Sequence, residues 1–419
     1  MAEPTNTPMP GSTPIPGSTP RSASPAPPLP SFAQGSSANG LAQRFARPIV
    51  LHIGDPVRFN PMTYASFSDM FQVVRPEVEE RKRPEFIRAL REERWGQFSA
   101  IFRPFWGTGG EMGKWDRELI DLLPDSCRVF ASAGAGFDWV DTKALGEKGI
   151  IYCNSGLAAA EAVADFAVAM VISTFRHLPW CMGAANMARD STGGTDLLFN
   201  TCHTQATSAS HNLRHHTLGL IGLGNIGQQL ANKLGCPAFG MQIHYYDVVR
   251  KSTEVETRLG ATFHETLPSL LHVSDCVVVC APAGRHGEPL MTKEMLGHMK
   301  EGSRFVNIAR GSLVDEEALI QALEKGRIST AALDVYSHEP KISPRLLDLA
   351  SPSPTTEVHP GRVMLTCHNA GGTVETHVGF EELSMRNIMA VLRGEEAITP
   401  VNLQYLKRPE KRLELTDED

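Results

Sequence analysis

The first half of the chain alternates short apolar runs with helical patterns. Each apolar run between residues 48 and 155 has the length of a buried strand, and the stretches between the runs carry apolar residues every three or four positions. The predicted strands are Ile49–Ile53, Ser99–Phe102, Val129–Ser132 and Ile150–Cys153, and the predicted helices include Pro84–Arg94 and Asp116–Leu123. This alternation predicts a parallel sheet with helices on both faces.

The same alternation resumes at Leu218 and continues to Thr366. The predicted strands are Leu218–Ile221, Gln242–Tyr246, Cys276–Cys280, Arg304–Asn307, Thr330–Leu333 and Val363–Thr366, with helices at Ile226–Leu234, Lys293–Met299 and Glu316–Lys325. Six parallel strands joined by crossover helices make a complete Rossmann sheet.

Two doubly wound parallel-sheet domains are therefore expected, at residues 48–155 and 156–373. A long apolar helix over Ala158–Arg176 enters the second domain. A helix over Thr373–Arg393 runs back to the first domain, which residues 374–406 are expected to complete. The fold class is thus α/β, with two sheets.

Three segments have a different texture. Residues 1–47 consist mainly of Pro, Ser, Thr and Gly, so they cannot bury enough apolar surface to offset the entropy of ordering, and a disordered tail is predicted. Residues 189–216 are rich in Ser, Thr, Asn and His and are predicted to be irregular. Residues 407–419 are predicted to form a charged, frayed tail.

Composition narrows the class of protein. The 419 residues are 42% apolar and 21% charged with a net charge of −7, which is typical of a soluble protein and argues against nucleic acid as a partner. No apolar run is expected to span a bilayer, so no membrane partner is predicted. Eight cysteines without a Cys-x-x-Cys pair favour a reducing, cytoplasmic location. A mitochondrial address stays open, because Glu3 is the one acid among the first 47 residues.

Four histidines lie close together in the chain, but no metal site is predicted from them. They are His203, His211, His215 and His216. Their spacing is not accompanied by the carboxylate or thiol partners that a metal site would need.

A glycine-rich turn predicts a dinucleotide site. Gly222, Gly224 and Gly227 follow the Leu218–Ile221 strand and open a helix, which places the positive end of the helix at the phosphates. Asp247 ends the next strand, and a carboxylate there accepts hydrogen bonds from ribose hydroxyls and repels a 2′-phosphate. NAD is therefore predicted over NADP, although the nearby Arg250 and Lys251 keep NADP open.

Three polar residues downstream of this turn suit hydride transfer at a 2-hydroxy acid. Arg310, Glu339 and His368 each follow the end of a predicted strand, where ligands of open α/β sheets bind. A histidine changes charge near neutral pH and can act as the base. A glutamate can fix its tautomer, and an arginine offers a planar fork for a carboxylate.

Several motifs resemble the D-isomer-specific 2-hydroxyacid dehydrogenases over residues 48–406. They are Gly-Ala-Gly-Phe-Asp at Gly134–Asp138, the glycine turn, Ala309-Arg310-Gly311, Leu333-Asp334-Val335, Glu339-Pro340 and His368. Residues Lys233–Pro237 and Ala133–Val140 are most similar to a fungal branch that includes D-mandelate dehydrogenase. The resemblance implies a flavodoxin-like substrate domain and a Rossmann NAD-binding domain with a cleft between them.

The resemblance also implies roles for individual residues. His368 would be the acid/base, Glu339 its partner and Arg310 the group that binds the substrate carboxylate, aided by the main-chain N–H groups of Ala135 and Gly136. Asp334 would contact the nicotinamide amide. The full set of implied cofactor contacts is Gly222, Gly224, Asn225, Ile226, Gly227, Asp247, Cys280, Ala281, Pro282, Ile308, Ala309, Arg310, Asp334, His368 and Gly371.

The chain departs from the family pattern in ways that bear on these roles. Cys280 stands where many members have His, and two extra residues near Cys236–Phe239 lengthen the path to Asp247. Family members are usually dimers joined through their nucleotide domains, so a homodimer is expected.

The expected activity is that of an NAD-dependent D-2-hydroxyacid dehydrogenase working mainly as a 2-oxo acid reductase. Phe102, Phe105 and Trp106 follow a first-domain strand and are expected to wall a pocket for a bulky substrate, with Phe102 and Trp106 in contact with it. A glyoxylate/hydroxypyruvate reductase is the alternative within this class. An NAD(H)-gated, corepressor-like interaction protein is the alternative of another class, because such proteins share the fold and keep the same three polar residues.

Overall fold

The chain is described by a computed structural model that covers residues 47–105, 107–187, 195–283, 288–350 and 361–406. Both predicted tails lie outside these residues, apart from Arg47. Within the described residues, twelve strands form two sheets, and every strand pairs in parallel with its neighbours. The predicted α/β class with two parallel sheets is confirmed.

The first sheet has five strands in the order β2-β1-β3-β4-β5. They are β1 Ile49–His52, β2 Gln72–Val74, β3 Ala100–Arg103, β4 Val129–Ser132 and β5 Ile151–Cys153. This order is the flavodoxin-like one. The sequence prediction missed β2, which has three residues at the edge of the sheet and no fully buried side chain.

The second sheet has seven strands in the order β12-β11-β10-β9-β6-β7-β8. They are β6 Thr217–Ile221, β7 Gln242–Tyr246, β8 Ala261–Phe263, β9 Cys276–Val279, β10 Ser303–Asn307, β11 Ile328–Leu333 and β12 Val363–Leu365. The order is that of a Rossmann sheet with one strand added beside β11. The prediction of six strands missed β8, again a three-residue edge strand.

Helices cover both sheets. They are α1 Pro61–Met70, α2 Arg83–Arg91, α3 Arg117–Ile120, α4 Thr142–Glu147, α5 Gly156–Arg176, α6 Leu178–Met187, α7 Thr195–Ala209, α8 Asn225–Gly235, α9 Thr253–Leu259, α10 Leu267–Val273, α11 Lys293–His298, α12 Glu316–Glu324, α13 Pro344–Ala350 and α14 Val374–Leu392.

Helix α7 corrects the prediction that residues 189–216 are irregular. Its Ser, Thr and Asn residues have modest helix propensity, which is why the sequence pattern did not predict it. Cys202 and Ala206 of α7 are buried against Trp180 and Ala184 of α6. The packing of the two helices therefore overrides the weak local preference.

Helix α5 has 21 residues and is mostly apolar. By length and composition it could cross a membrane, which corrects the expectation that no apolar run reaches that length. Its residues Val163, Ala167 and Val171 are buried in the core of the second sheet, and it packs against α8, β10 and β11. The protein interior thus accounts for the apolar face of α5.

The C-terminal helix α14 returns to the first sheet, as predicted, and packs against β3, β4 and α1. Asn402, which follows it, is fully buried. Its carboxamide accepts a hydrogen bond from the N–H of Tyr152 at 2.8 Å and donates to the carbonyls of Ile150 and Thr142 at 3.0 Å. These bonds fasten the end of the described chain to β5.

Candidate active site

The glycine turn after β6 has the shape that a pyrophosphate needs. Gly222 has a φ of 96°, which favours glycine, and α8 begins three residues later at Asn225. A Cβ added at Gly227 would lie 2.4 Å from the carbonyl oxygen of Gly222, so helix and strand are in close contact. A Cβ at Gly224 would meet no atom within 4 Å. The open space at Gly224, next to the N-terminus of α8, fits a phosphate group.

Asp247 lies beside this turn. Its Oδ2 accepts a hydrogen bond from the N–H of Leu223 at 2.9 Å and pairs with Nζ of Lys251 at 3.0 Å. Burial acts to raise the pKa of Asp247, but the Leu223 N–H and the Lys251 ammonium outweigh it and hold the pKa below its usual value. Arg250 instead forms two hydrogen bonds of 2.9 Å with Glu256.

The two extra residues before Asp247 are absorbed by a tight turn. The N–H groups of Phe239 and Gly240 both donate to the carbonyl of Cys236, at 3.1 and 2.7 Å. The insertion therefore closes on itself between α8 and β7, and Asp247 still reaches the glycine turn.

The segment after β9 runs beside the same turn. The N–H of Cys280 donates to the carbonyl of Ile221, and a Cβ added at Gly222 would lie 3.1 Å from the nitrogen of Ala281. Burial raises the pKa of the Cys280 thiol to about 12, so the thiol is neutral at physiological pH. Pro282 is exposed beyond it. These residues form the second wall of the predicted nucleotide site.

Arg310 follows β10 and is positioned by Asn307, a residue that sequence reasoning missed. The buried carboxamide of Asn307 accepts from the N–H of Ala309 at 3.0 Å and donates to the carbonyl of Arg310 at 2.9 Å. The Arg310 guanidinium donates from Nη1 to the carbonyl of Ala309 at 2.8 Å and from Nε to Oδ1 of Asp138 at 3.1 Å. Both ends of the short loop are thereby fixed.

The guanidinium of Arg310 also lies directly against the loop after β4. A Cβ added at Gly136 would lie 1.4 Å from Nη2 of Arg310, so a side chain at residue 136 would displace the guanidinium from this position. The structure thus brings Ala135 and Gly136 of the first sheet next to Arg310 of the second.

His368 and Glu339 are in direct contact. Nδ1 of His368 is 2.7 Å from Oε2 of Glu339, and Oε1 of Glu339 accepts a hydrogen bond from the N–H of Tyr336 at 2.9 Å. Both side chains are partly exposed. The carboxylate favours the tautomer that has its proton on Nδ1, so the other ring nitrogen, Nε2, is the one available to a substrate.

Asp334 holds the loop that carries His368. Its buried carboxylate accepts hydrogen bonds from the Thr366 hydroxyl at 2.7 Å, the Asn369 N–H at 3.0 Å and the Ala370 N–H at 2.9 Å. Its carbonyl accepts from the N–H of His368 at 2.8 Å. A contact between Asp334 and a nicotinamide stays a prediction, whereas its role in ordering this loop was missed.

The expected aromatic wall is corrected in one position. Phe102 is fully buried and packs against His52 and Phe67, with ring centroids 4.8 and 5.4 Å apart, so it has no surface to offer a ligand. It lies within β3, and its side chain points into the core beneath the strand ends. Trp106 lies outside the described residues.

A different aromatic group lies at the strand ends. Phe105, which follows β3, and Phe59, which follows β1, both contact the ring of His377 in the first turn of α14, at centroid distances of 4.9 and 5.7 Å. Phe59 is 42% exposed. Because β1, β3 and β4 are parallel neighbours, this group lies at the same carboxyl-terminal end of the strands as Gly136.

Glu381 of α14 fixes the Phe59 side of this group. Its buried carboxylate accepts hydrogen bonds from the N–H groups of Arg58, Phe59 and Asn60, at 2.7, 2.8 and 3.0 Å. Sequence reasoning missed Glu381. The available signal was an acid on the apolar face of a predicted helix, which needs a buried partner.

Comparison with known proteins is consistent with this geometry. Residues 168–370 match the NAD binding domain of the D-isomer specific 2-hydroxyacid dehydrogenases. A glyoxylate reductase from Thermofilum pendens is 33% identical over 303 residues, which are 72% of this chain and 83% of that protein. A 4-methyl-2-oxopentanoate reductase A from Aspergillus oryzae is 30% identical over 319 residues, 76% of this chain and 88% of that protein.

A solved structure is similar over both sheets. The holo form of D-mandelate dehydrogenase from Rhodotorula graminis has a TM-score of 0.77 and 36% identity, and it covers 85% of this chain and 98% of that chain.

Proposed function

Because the chain belongs to the D-isomer-specific 2-hydroxyacid dehydrogenase family, we propose that it reduces a bulky 2-oxo acid to the D-2-hydroxy acid with NADH. Family membership makes it an NAD-binding oxidoreductase that acts on CH–OH donors. The observation that carries the proposal is the 2.7 Å contact between His368 and Glu339, on the same strand-end side of the second sheet as Arg310.

When bound, NAD(H) would supply the chemistry of hydride transfer at C2 of the substrate. Arg310 binds the substrate carboxylate through its planar fork of N–H donors. Nε2 of His368 donates a proton to the C2 oxygen during reduction and takes it back during oxidation. Glu339 holds the His368 ring in this orientation through its contact with Nδ1.

The residues at the nucleotide turn support NAD as the bound form. Gly222, Gly224 and Gly227 would hold the pyrophosphate, and the ionised Asp247 would accept hydrogen bonds from the ribose hydroxyls. Arg250 is engaged with Glu256, which disfavours a role in binding a 2′-phosphate.

The aromatic group of Phe59, Phe105 and His377 supports a substrate with a large apolar side chain. Two of the similar proteins, the D-mandelate dehydrogenase and the 4-methyl-2-oxopentanoate reductase, are named for substrates with large apolar side chains, which supports the same proposal. A small substrate is the second candidate, because the relative from Thermofilum pendens is a glyoxylate reductase.

The test is NADH oxidation by the purified protein with phenylglyoxylate, 2-oxoisocaproate, glyoxylate and hydroxypyruvate. The proposal expects the highest kcat/KM with phenylglyoxylate or 2-oxoisocaproate. A higher kcat/KM with glyoxylate or hydroxypyruvate would contradict the proposal and favour a small 2-oxo acid as the substrate. No turnover with any of them, while NADH still binds, would favour an interaction protein.

A further inference from the structure

An ion pair links the two sheets at the predicted substrate site. Asp138 lies in the loop after β4 of the first sheet, and Arg310 follows β10 of the second. Oδ1 of Asp138 accepts a hydrogen bond from Nε of Arg310 at 3.1 Å. The side chain of Asp138 is 49% exposed, so water screens the attraction between the two charges and the ion pair is weak.

Arg310 has positioning contacts other than Asp138. Asn307 fixes the backbone on both sides of Ala309, and Nη1 of Arg310 donates to the carbonyl of Ala309. The terminal nitrogen Nη2 is packed over Gly136. Asp138 therefore supplies mainly a negative charge, next to the guanidinium that binds the substrate carboxylate in the proposed function.

Two carboxylates that approach one guanidinium compete for it. A substrate carboxylate that binds Arg310 meets the charge of Asp138 at close range, and like charges disfavour each other unless one withdraws. Asp138 is free to withdraw because it is half exposed and its pair with Arg310 is weak.

We propose that Asp138 is an affinity-determining residue that serves as the counter-ion of Arg310 and yields it to the substrate carboxylate. This inference rests on the proposed function. Asp138 raises the KM for 2-oxo acids by competing for Arg310, and it favours release of the hydroxy acid by the same exchange. Its charge, rather than its shape, carries the effect.

The test compares Asp138→Asn, which keeps the shape and removes the charge, with Asp138→Glu, which keeps the charge. With NADH and phenylglyoxylate, Asp138→Asn should lower KM about fivefold, the factor that corresponds to a weak ion pair. Its NADH affinity and melting temperature should match those of the wild type, and its kcat should not rise. Asp138→Glu should have a KM equal to or above that of the wild type.

Asp125→Asn is the matched control, because it makes the same charge change at an exposed residue in the turn before β4 and should leave KM unchanged. An unchanged or higher KM in Asp138→Asn would overturn the inference and make Asp138 a positioning residue or a bystander.

Oxamate binding to the NADH-loaded protein, measured by calorimetry, separates this inference from the proposed function. If the wild type reduces no 2-oxo acid, the proposed function fails. Tighter oxamate binding in Asp138→Asn would still support competition at Arg310. Equal binding in the two proteins, or none in either, would overturn it.

Discussion

At the scale of single residues, His368 combines a reactive side chain with an unusual backbone. Its φ is 52°, in the left-handed region that non-glycine residues seldom adopt. The N–H of His368 donates to the carbonyl of Asp334, and its ring contacts Glu339. Backbone and side chain are thus held by separate partners, which places Nε2 in a defined position.

Replacing His368 by Asn should stop catalysis without disturbing the fold, because Asn tolerates the left-handed backbone. We expect kcat to fall about 10²- to 10⁴-fold, the usual contribution of a general acid–base group, while NADH affinity is retained. Steady-state NADH oxidation and a fluorescence titration of NADH measure the two quantities. Glu339→Gln removes the charge and leaves one acceptor oxygen for two donors, the His368 ring and the N–H of Tyr336, but it keeps the acid/base group itself, so it should cause a smaller loss. Wild-type turnover in His368→Asn would contradict the mechanism.

Asp247→Asn tests coenzyme choice and keeps an acceptor for the N–H of Leu223. Loss of the charged acceptor should weaken NAD binding roughly 10- to 100-fold and narrow the preference for NAD over NADP. Kd values for both coenzymes, by fluorescence titration, give the ratio. A ratio equal to that of the wild type would mean that Asp247 does not bind the ribose.

The sequence predicted the residues whose chemistry and strand-end position coincide, such as Arg310 and His368. It did not predict Glu381, because that acid acts on N–H groups more than 320 positions away in the chain. The assignment of Phe102 to the pocket was wrong because the direction of its side chain could not be read from the sequence. The last residue of a predicted strand can face the core or the cleft, and a slip of one residue exchanges the two.

At the scale of elements, the glycines of the turn after β6 have different surroundings. Gly227 is needed where α8 crosses the end of β6, and Gly224 borders open space. The same sequence motif therefore contains a residue required by the fold, Gly227, and a residue that borders open space, Gly224.

Gly227→Ala and Gly224→Ala should accordingly have different effects. The new methyl group at residue 227 would lie 2.4 Å from a backbone oxygen, so we expect a loss of about 1–3 kcal/mol in the free energy of unfolding. Gly224→Ala should leave the melting temperature unchanged and weaken NADH binding, since its methyl group enters the space for the pyrophosphate. Thermal unfolding and NADH titration of both variants measure the two effects. Equal losses of stability in the two variants would contradict this difference between Gly227 and Gly224.

Elements with a clear apolar pattern were predicted well, and elements without one were not. Strands β4 and β7 begin and end at the predicted residues. Strands β5 and β12 have three apolar residues each and were predicted, whereas β2 and β8 each include one polar residue, Gln72 and Thr262, and were missed. Helix α7 exists because α6 covers it, which no window of local sequence records.

At the scale of the whole molecule, α14 connects the two parts of the site. It begins six residues after His368, presents His377 to Phe59 and Phe105, and holds the Phe59 loop through Glu381. A single helix thus follows the His368 loop directly and contacts both aromatic residues.

Glu381→Gln should loosen this connection, because its amide presents a donor to backbone N–H groups that need acceptors. We expect a loss of about 1–3 kcal/mol in the free energy of unfolding and a lower ratio of kcat/KM for phenylglyoxylate over glyoxylate. Glu382→Gln is the control, since the neighbouring Glu382 forms a partly exposed ion pair with Arg386 on the same helix. If the two variants behave alike, Glu381 does not support the aromatic group.

The helices α5 and α14 pack against each other where the chain leaves the first sheet and where it returns. The segment between them is one continuous insertion into the first domain, and its two ends lie close together. It contains the glycine turn, Asp247 and the three polar residues. Such an insertion can be exchanged as a cassette. A chimera that receives this cassette from an NADPH-dependent relative should inherit its coenzyme preference, while Phe59, Phe105 and His377 continue to select the same 2-oxo acids.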